Sequence, residues 1–151
     1  MAIDFDSNLP IYIQVMDYIK KEIVSGRLKP GDRVDSVRDL ALHFGVNPNT
    51  VQRSLSELER EGLLKSERTA GRFISENEEL IGLVREQMAT SCISRYVKEM
   101  ENLGYEGEEL LAQTAYYVKE RDNDNGEILS GFKQEHGGKW IQSVRIPYYQ
   151  R

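Results

Sequence analysis

From residue 11 to residue 23 the apolar positions Ile11, Val15, Ile19 and Ile23 recur every four residues, with Tyr18 beside them. That period belongs to a helix with one buried face. The spacing predicts a first helix that opens at Pro10, whose fixed φ suits a first helical position, and that stops at Gly26. "LKPGD", residues 28 to 32, reads as a Pro-Gly turn. A short second helix follows over Val37 to Phe44. Its apolar side is Val37, Leu40, Ala41 and Phe44, Ser36 and Asp39 stand at capping-box spacing, and Gly45 supplies a left-handed exit. Asn47 caps and Pro48 opens a third helix with Val51, Leu55 and Leu58 on one face, and Gly62 ends it. Two strand-like runs, Leu63–Glu67 and Arg72–Ser75, are joined by "RTAG", which predicts a β-hairpin with Gly71 at its tip.

Beyond Ser75 the pattern lengthens. Ile81, Val84, Met88, Cys92, Tyr96, Met100 and Leu103 are spaced by three or four, predicting one long helix from Glu78 to Leu103 closed by Gly104. A further helix is expected over Glu108 to Glu120, carrying Leu110, Leu111, Thr114 and Val118. "RDNDNG" then breaks the chain, and "WIQSVRIPYY" reads as a strand up to Pro147. The expected fold class is α+β, mostly helical. An N-terminal winged helix-turn-helix over residues 1–75 is followed by a short helical segment over 76–120 and an extension over 121–151 with no assigned role.

Length and composition narrow the class. The 151 residues suffice for one domain, or a small domain with an appendage, and 39% hydrophobic with 30% charged residues is the balance of a soluble globular chain. No apolar run approaches the roughly 18 residues of a membrane span, and the start lacks a signal-peptide pattern. A lone Cys92 excludes an internal disulfide framework, so a cytoplasmic location is expected. A net charge of −5 argues against a nucleic-acid partner until its distribution is examined. Residues 1–75 carry 11 Lys/Arg against 11 Asp/Glu, whereas residues 76–110 carry 3 against 9. The front is neutral and the acidity is concentrated behind it.

The third helix raises a specific chemical question. With Val51, Leu55 and Leu58 turned inward, Asn49, Thr50, Gln52 and Arg53 point outward near its N-terminus. In a helix-turn-helix that end enters the DNA major groove. There Asn and Gln bond adenine N6 and N7 together, and Arg does the same for guanine O6 and N7. The competing reading is an ordinary solvated helix face. Arg38 stands in the first turn of the second helix, where the helix dipole disfavours a cation. Its partner is either Asp35 or Asp39 beside it, or a phosphate or base edge beyond the helix end. Arg68 and Arg72 flank the hairpin tip, within reach of a minor groove or backbone, or simply as wing surface charges. Catalysis has little support: His43 reads as a boundary residue between Leu42 and Phe44, His136 lies in a Gly-rich stretch, and Cys92 reads as a core thiol. No His/Cys cluster has metal-ligand spacing and no phosphate-binding glycine loop is present, so no catalytic residue, cofactor or metal is expected.

The segments "GRLKPGDRV", "SVRDLA", "GVNPNTVQR", "LEREGLL" and "GRFI", in this order across residues 9 to 75, resemble the GntR-type bacterial transcription regulators. "NPNTVQR" with a short C-terminal part is similar to the YtrA-like subgroup, whose members use two C-terminal helices chiefly to dimerise. The resemblance implies a homodimeric repressor bound to an inverted-repeat operator in double-stranded DNA. It implies DNA contacts from the second helix start at Ser36 and Arg38, from Asn47, Asn49, Thr50, Gln52 and Arg53, and from the wing at Arg68, Thr69, Gly71 and Arg72. Dimerisation is expected through the stripe from Ile81 to Leu103, the alternative being packing of that stripe onto its own winged domain. Two helices are too few to enclose a typical small-molecule pocket, so an effector, if one acts, is expected at the dimer interface. Asp35 departs from the family pattern, which usually has Pro before the Ser, and the resemblance fades after about Leu111. The rival function is a winged helix serving as a protein–protein adaptor; an enzyme domain is disfavoured by the length and by the lack of a Lys-centred cofactor site.

Overall fold

In the computed structural model, residues 3–122 are described, and they form five helices and one hairpin. The order is α1 (Ile11–Val24), α2 (Val37–Phe44), α3 (Pro48–Arg60), β1 (Leu64–Glu67), β2 (Gly71–Ile74), α4 (Glu78–Asn102) and α5 (Gly107–Asp122). The expected strand up to Pro147, His136 and nearly all of the 121–151 extension lie outside the described residues. The chain divides into two compact units, one ending at Ser91 and the other beginning at Cys92.

The first unit is built around the inward stripes of its first three helices. Val15, Met16, Ile19 and Ile23 of α1, Leu40, Ala41 and Phe44 of α2, and Val51, Leu55 and Leu58 of α3 are buried together with Val34, Leu63, Leu64 and Ile74. The stripe expected on α1 is displaced at its start. Ile11 is exposed and Met16 takes a buried place, because the helical face drifts as four-residue steps accumulate around a 3.6-residue turn. Tyr18 packs edge-to-face on Phe44, with ring centroids 5.2 Å apart. The buried Ser54 is the polar exception in this core. Its hydroxyl lies 2.9 Å from both the Thr50 and the Tyr12 carbonyl oxygens, and so ties α3 to α1 while its own polar atom is satisfied.

The hairpin pairs Leu64 with Ile74 and Glu67 with Gly71. Its tip is Arg68–Ala70, so Gly71 opens the second strand rather than forming the turn. A further chain segment borders β2 on its other side. Arg33 bridges Phe73, Val34 N–H donates to the Arg72 carbonyl at 2.9 Å, and Ile74 N–H donates to the Asp32 carbonyl at 2.8 Å. This makes the wing a sheet of two strands with a bridged third edge.

The first unit reaches past the expected boundary at Ser75 because Leu80, Ile81 and Val84, at the start of α4, pack against its core. In the second unit Leu110 of α5 is buried, and the Tyr96 hydroxyl lies 2.8 Å from Thr114 Oγ1, which also donates to the Leu110 carbonyl at 2.8 Å. Cys92, expected in a core, is exposed, with Arg95 Nη2 3.9 Å from its sulfur. The stripe outlasts the core that covers its first two members.

Candidate nucleic-acid interface

The α2 start is a closed capping arrangement. Ser36 Oγ accepts from the Asp39 backbone N–H at 3.1 Å and donates to Asp39 Oδ2 at 2.8 Å. Asp39 is therefore committed to Ser36. Arg38, between them in sequence, is exposed and forms no ion pair among the described residues. The pairing of Arg38 with Asp35 or Asp39, open in the sequence, is not made. A guanidinium left unpaired beside the positive end of a helix is arranged to meet an anion from outside.

The turn between α2 and α3 depends on Gly45, which adopts φ +68° and donates its N–H to the Ala41 carbonyl. Asn47 then caps α3, its Oδ1 accepting from Asn49 N–H at 2.8 Å, which leaves the amide NH2 of Asn47 available. The short turn presents the first turn of α3 to solvent: Asn49 and Gln52 are exposed and Thr50 is half-buried. Gln52 makes only a long 3.3 Å bond to Ser56 Oγ. These amides stand ready for other partners.

Arg53 is placed differently. Its guanidinium lies over the Tyr12 ring of α1, 3.7 Å from the centroid. One face of the group is covered by the ring, while the residue as a whole stays exposed, as Asn49 and Gln52 are. Its N–H edges carry no ion pair among the described residues. Tyr12 does not stand out in the sequence, where it is one aromatic beside an aliphatic stripe; only the α1–α3 packing brings the two side chains together.

At the wing, Arg68 and Thr69 are exposed on the tip beside Gly71, which has φ +102°. Arg72 turns the other way. Strand alternation carries it back toward α3, where its Nε lies 3.7 Å from Glu59 Oε2, too far for a hydrogen bond, and the buried Nε has no such partner among the described residues. Arg72 thus ties the wing to α3 through Glu59, a partner the sequence did not indicate. His43 is exposed and packs its ring on Phe44 at 5.1 Å, as a boundary residue does.

The expected dimerisation stripe is split. Ile81 and Val84 pack on the winged core of the same chain, Met88 and Met100 are half-buried, Tyr96 engages Thr114, and Leu103 is exposed. Among the described residues no group of three or more His, Cys, Asp or Glu is arranged to hold a metal, and no helix is long and apolar enough to cross a membrane. The Tyr105 hydroxyl is pushed up from its ordinary pKa, first by burial and second by the Glu109 carboxylate, so it stays protonated through the neutral range.

A helix, a tight turn, a second helix led by exposed amides and a β-wing carrying one cation, Arg68, at its tip define a winged helix-turn-helix DNA-binding domain. Residues 11–74 match the family model of bacterial regulatory proteins, gntR family. The chain is 40% identical to the HTH-type transcriptional regulator YhcF of Bacillus subtilis over 107 residues, covering 71% of this chain and 88% of that relative. It is 38% identical to the HTH-type transcriptional repressor YtrA of the same organism, over 67% of this chain and 82% of that one. A GntR family transcriptional regulator from Listeria monocytogenes superposes with a TM-score of 0.68 at 35% identity, over 74% of this chain and 97% of the other. The chain belongs to the GntR family of bacterial regulatory proteins and is a helix-turn-helix transcription regulator.

Proposed function

We propose that this regulator is a cytoplasmic repressor that binds an inverted-repeat operator as a homodimer, with Asn49 and Gln52 of α3 reading base edges in the major groove. The observation that carries this reading is the opening of α3, where exposed amides are held in place by Asn47 and by the Ser54 anchor but have almost no partners of their own. Thr50 sits at the rim of the same surface. Asn47, through its amide NH2, and Arg38 and Arg68, exposed and without an ion pair among the described residues, supply contacts to the sugar–phosphate backbone that set register without reading sequence. Thr69 and the Gly71 backbone lie with Arg68 at the wing tip. Ser36, whose hydroxyl is committed to Asp39, serves by fixing the α2 start from which Arg38 projects.

Dimerisation is assigned to residues of the second unit. Ile93, Leu103, Leu111 and Val118 are exposed large apolar side chains there, available to a second copy of the chain. A twofold pair would set two α3 helices about 34 Å apart, one turn of DNA. Repression is the activity in the name of the relative YtrA and would follow from occupying a promoter.

The test is selection of bound duplexes from a random pool at two salt concentrations. An enriched inverted repeat whose preference at one base pair disappears with Gln52→Ala supports the reading. Binding indifferent to sequence and to Gln52 would overturn it and leave the protein–protein adaptor as the function.

A further inference from the structure

Arg33 is a cation of the first unit held against the wing. Arg33 lies in the segment that leaves the Pro-Gly turn, bridges Phe73 of β2, and runs on to the Ser36 cap of α2. Its side chain is exposed and makes no hydrogen bond or ion pair among the described residues. Glu67, opposite Gly71 in the hairpin, stays outside ion-pair range of it. Arg33 lies against Gly71 of the wing. A Cβ at residue 71 would stand 3.4 Å from Arg33 Nε, 3.5 Å from Nη2 and 3.9 Å from Cζ. The guanidinium therefore lies across the one residue of the wing that has no side chain. The φ of +102° at residue 71 suits glycine, and the Arg33 guanidinium rests against it at ordinary contact distance.

We infer that Arg33 is a DNA-contacting residue, donating to a backbone phosphate of the operator beside the wing. The inference rests on the regulator reading above. The chemistry favours phosphate over a base. Arg33 is exposed, rests against Gly71 of the wing and stands on the segment that borders β2, not on the α3 face that would enter a groove. Arg is also the side chain suited to bidentate phosphate recognition. Arg33, Arg38 and Arg68 are then three exposed cations of the first unit with no ion pair among the described residues.

The experiment measures binding of the full chain to its selected operator and to an unrelated duplex, by fluorescence anisotropy across a salt series. Wild type, Arg33→Gln, Arg33→Lys and Gln52→Ala are compared, and thermal melting confirms that each folds. A phosphate partner predicts that Arg33→Gln weakens both duplexes by the same factor, roughly tenfold for a dimer, and lowers the slope of log K against log salt by about 0.9 for each phosphate left without its cation. Arg33→Lys should recover most of the slope. Arg33→Gln with wild-type affinity and slope would overturn the inference, as would a loss confined to one base pair of the operator. If wild type itself shows no preference for the selected duplex, the regulator reading fails and this inference with it. If wild type prefers the operator, Gln52→Ala loses that preference and Arg33→Gln changes nothing, only the assignment of Arg33 fails.

Discussion

The stacking of Arg53 on Tyr12 gives a prediction whose size follows from the geometry. At 3.7 Å from the ring centroid the guanidinium is in close cation–π contact, and both side chains remain partly open to water. For such a pair the interaction is worth about 0.5–1 kcal/mol. Arg53→Met keeps the apolar stem and removes the cation; Tyr12→Leu removes the ring. A double-mutant cycle in urea denaturation isolates the pair: the double variant should lose about 0.5–1 kcal/mol less than the sum of the two single losses. No carboxylate is paired with Arg53 among the described residues, so salt should change the coupling little. The same pair bears on DNA binding, because Tyr12 holds an Arg53 edge still next to the reading amides. Losing that order by Tyr12→Leu should weaken operator binding by about two- to fivefold per half-site. A coupling below about 0.3 kcal/mol, the level at which independent sites add, would refute the stacking argument.

Three further outcomes follow from the packing. Leu55→Ala, at a position 1% exposed in the centre of the first unit, should cost about 2–5 kcal/mol in chemical denaturation, and a cost under about 1 kcal/mol would mean that the core collapses around the void. Gly45→Ala meets no atom within 4 Å, so its penalty is conformational alone, about 1–2 kcal/mol by thermal melting; Gly45→Asn should recover part of it. Leu103→Glu combined with Leu111→Glu, at side chains 73% and 61% exposed, should leave the melting of the first unit unchanged while converting a dimer to a monomer in sedimentation. A double variant that still sediments as a dimer would move the interface elsewhere.

Local signals in the chain were enough for the winged unit. Apolar residues at helical spacing, Ser36 and Asn47 as caps, Pro48 at a first helical position, and Gly45 and Gly62 at the exits each act within a few residues of themselves, so α2 runs over the residues expected and α3 opens and closes where its caps stand. The outward amides of α3 were legible for the same reason: once the buried side of a helix is known, the opposite side is known too. Fine register was less so. The hairpin closes on Arg68–Ala70, and that shift of one residue places Gly71 in a strand and sends Arg72 inward to Glu59, since each step along a strand reverses the side-chain direction.

The acidic helical segment illustrates a different limit. A stripe spaced by three or four residues says that a helix has an apolar side, and it does not say what covers that side. Ile81 and Val84 meet the core of their own chain, while Leu103 on the same stripe is exposed. The sequence by itself determined the elements, their order, the family and the side of α3 left free, because these depend on neighbours within about one turn or one strand step. Only the tertiary structure decided that Arg53 rests on Tyr12, that Arg72 meets Glu59, that Arg33 lies against Gly71 and that Arg38 and Arg68 have no ion pair among the described residues. Those depend on which distant segments the core draws together, and a cation's role is set by the partner that packing brings to it or withholds from it.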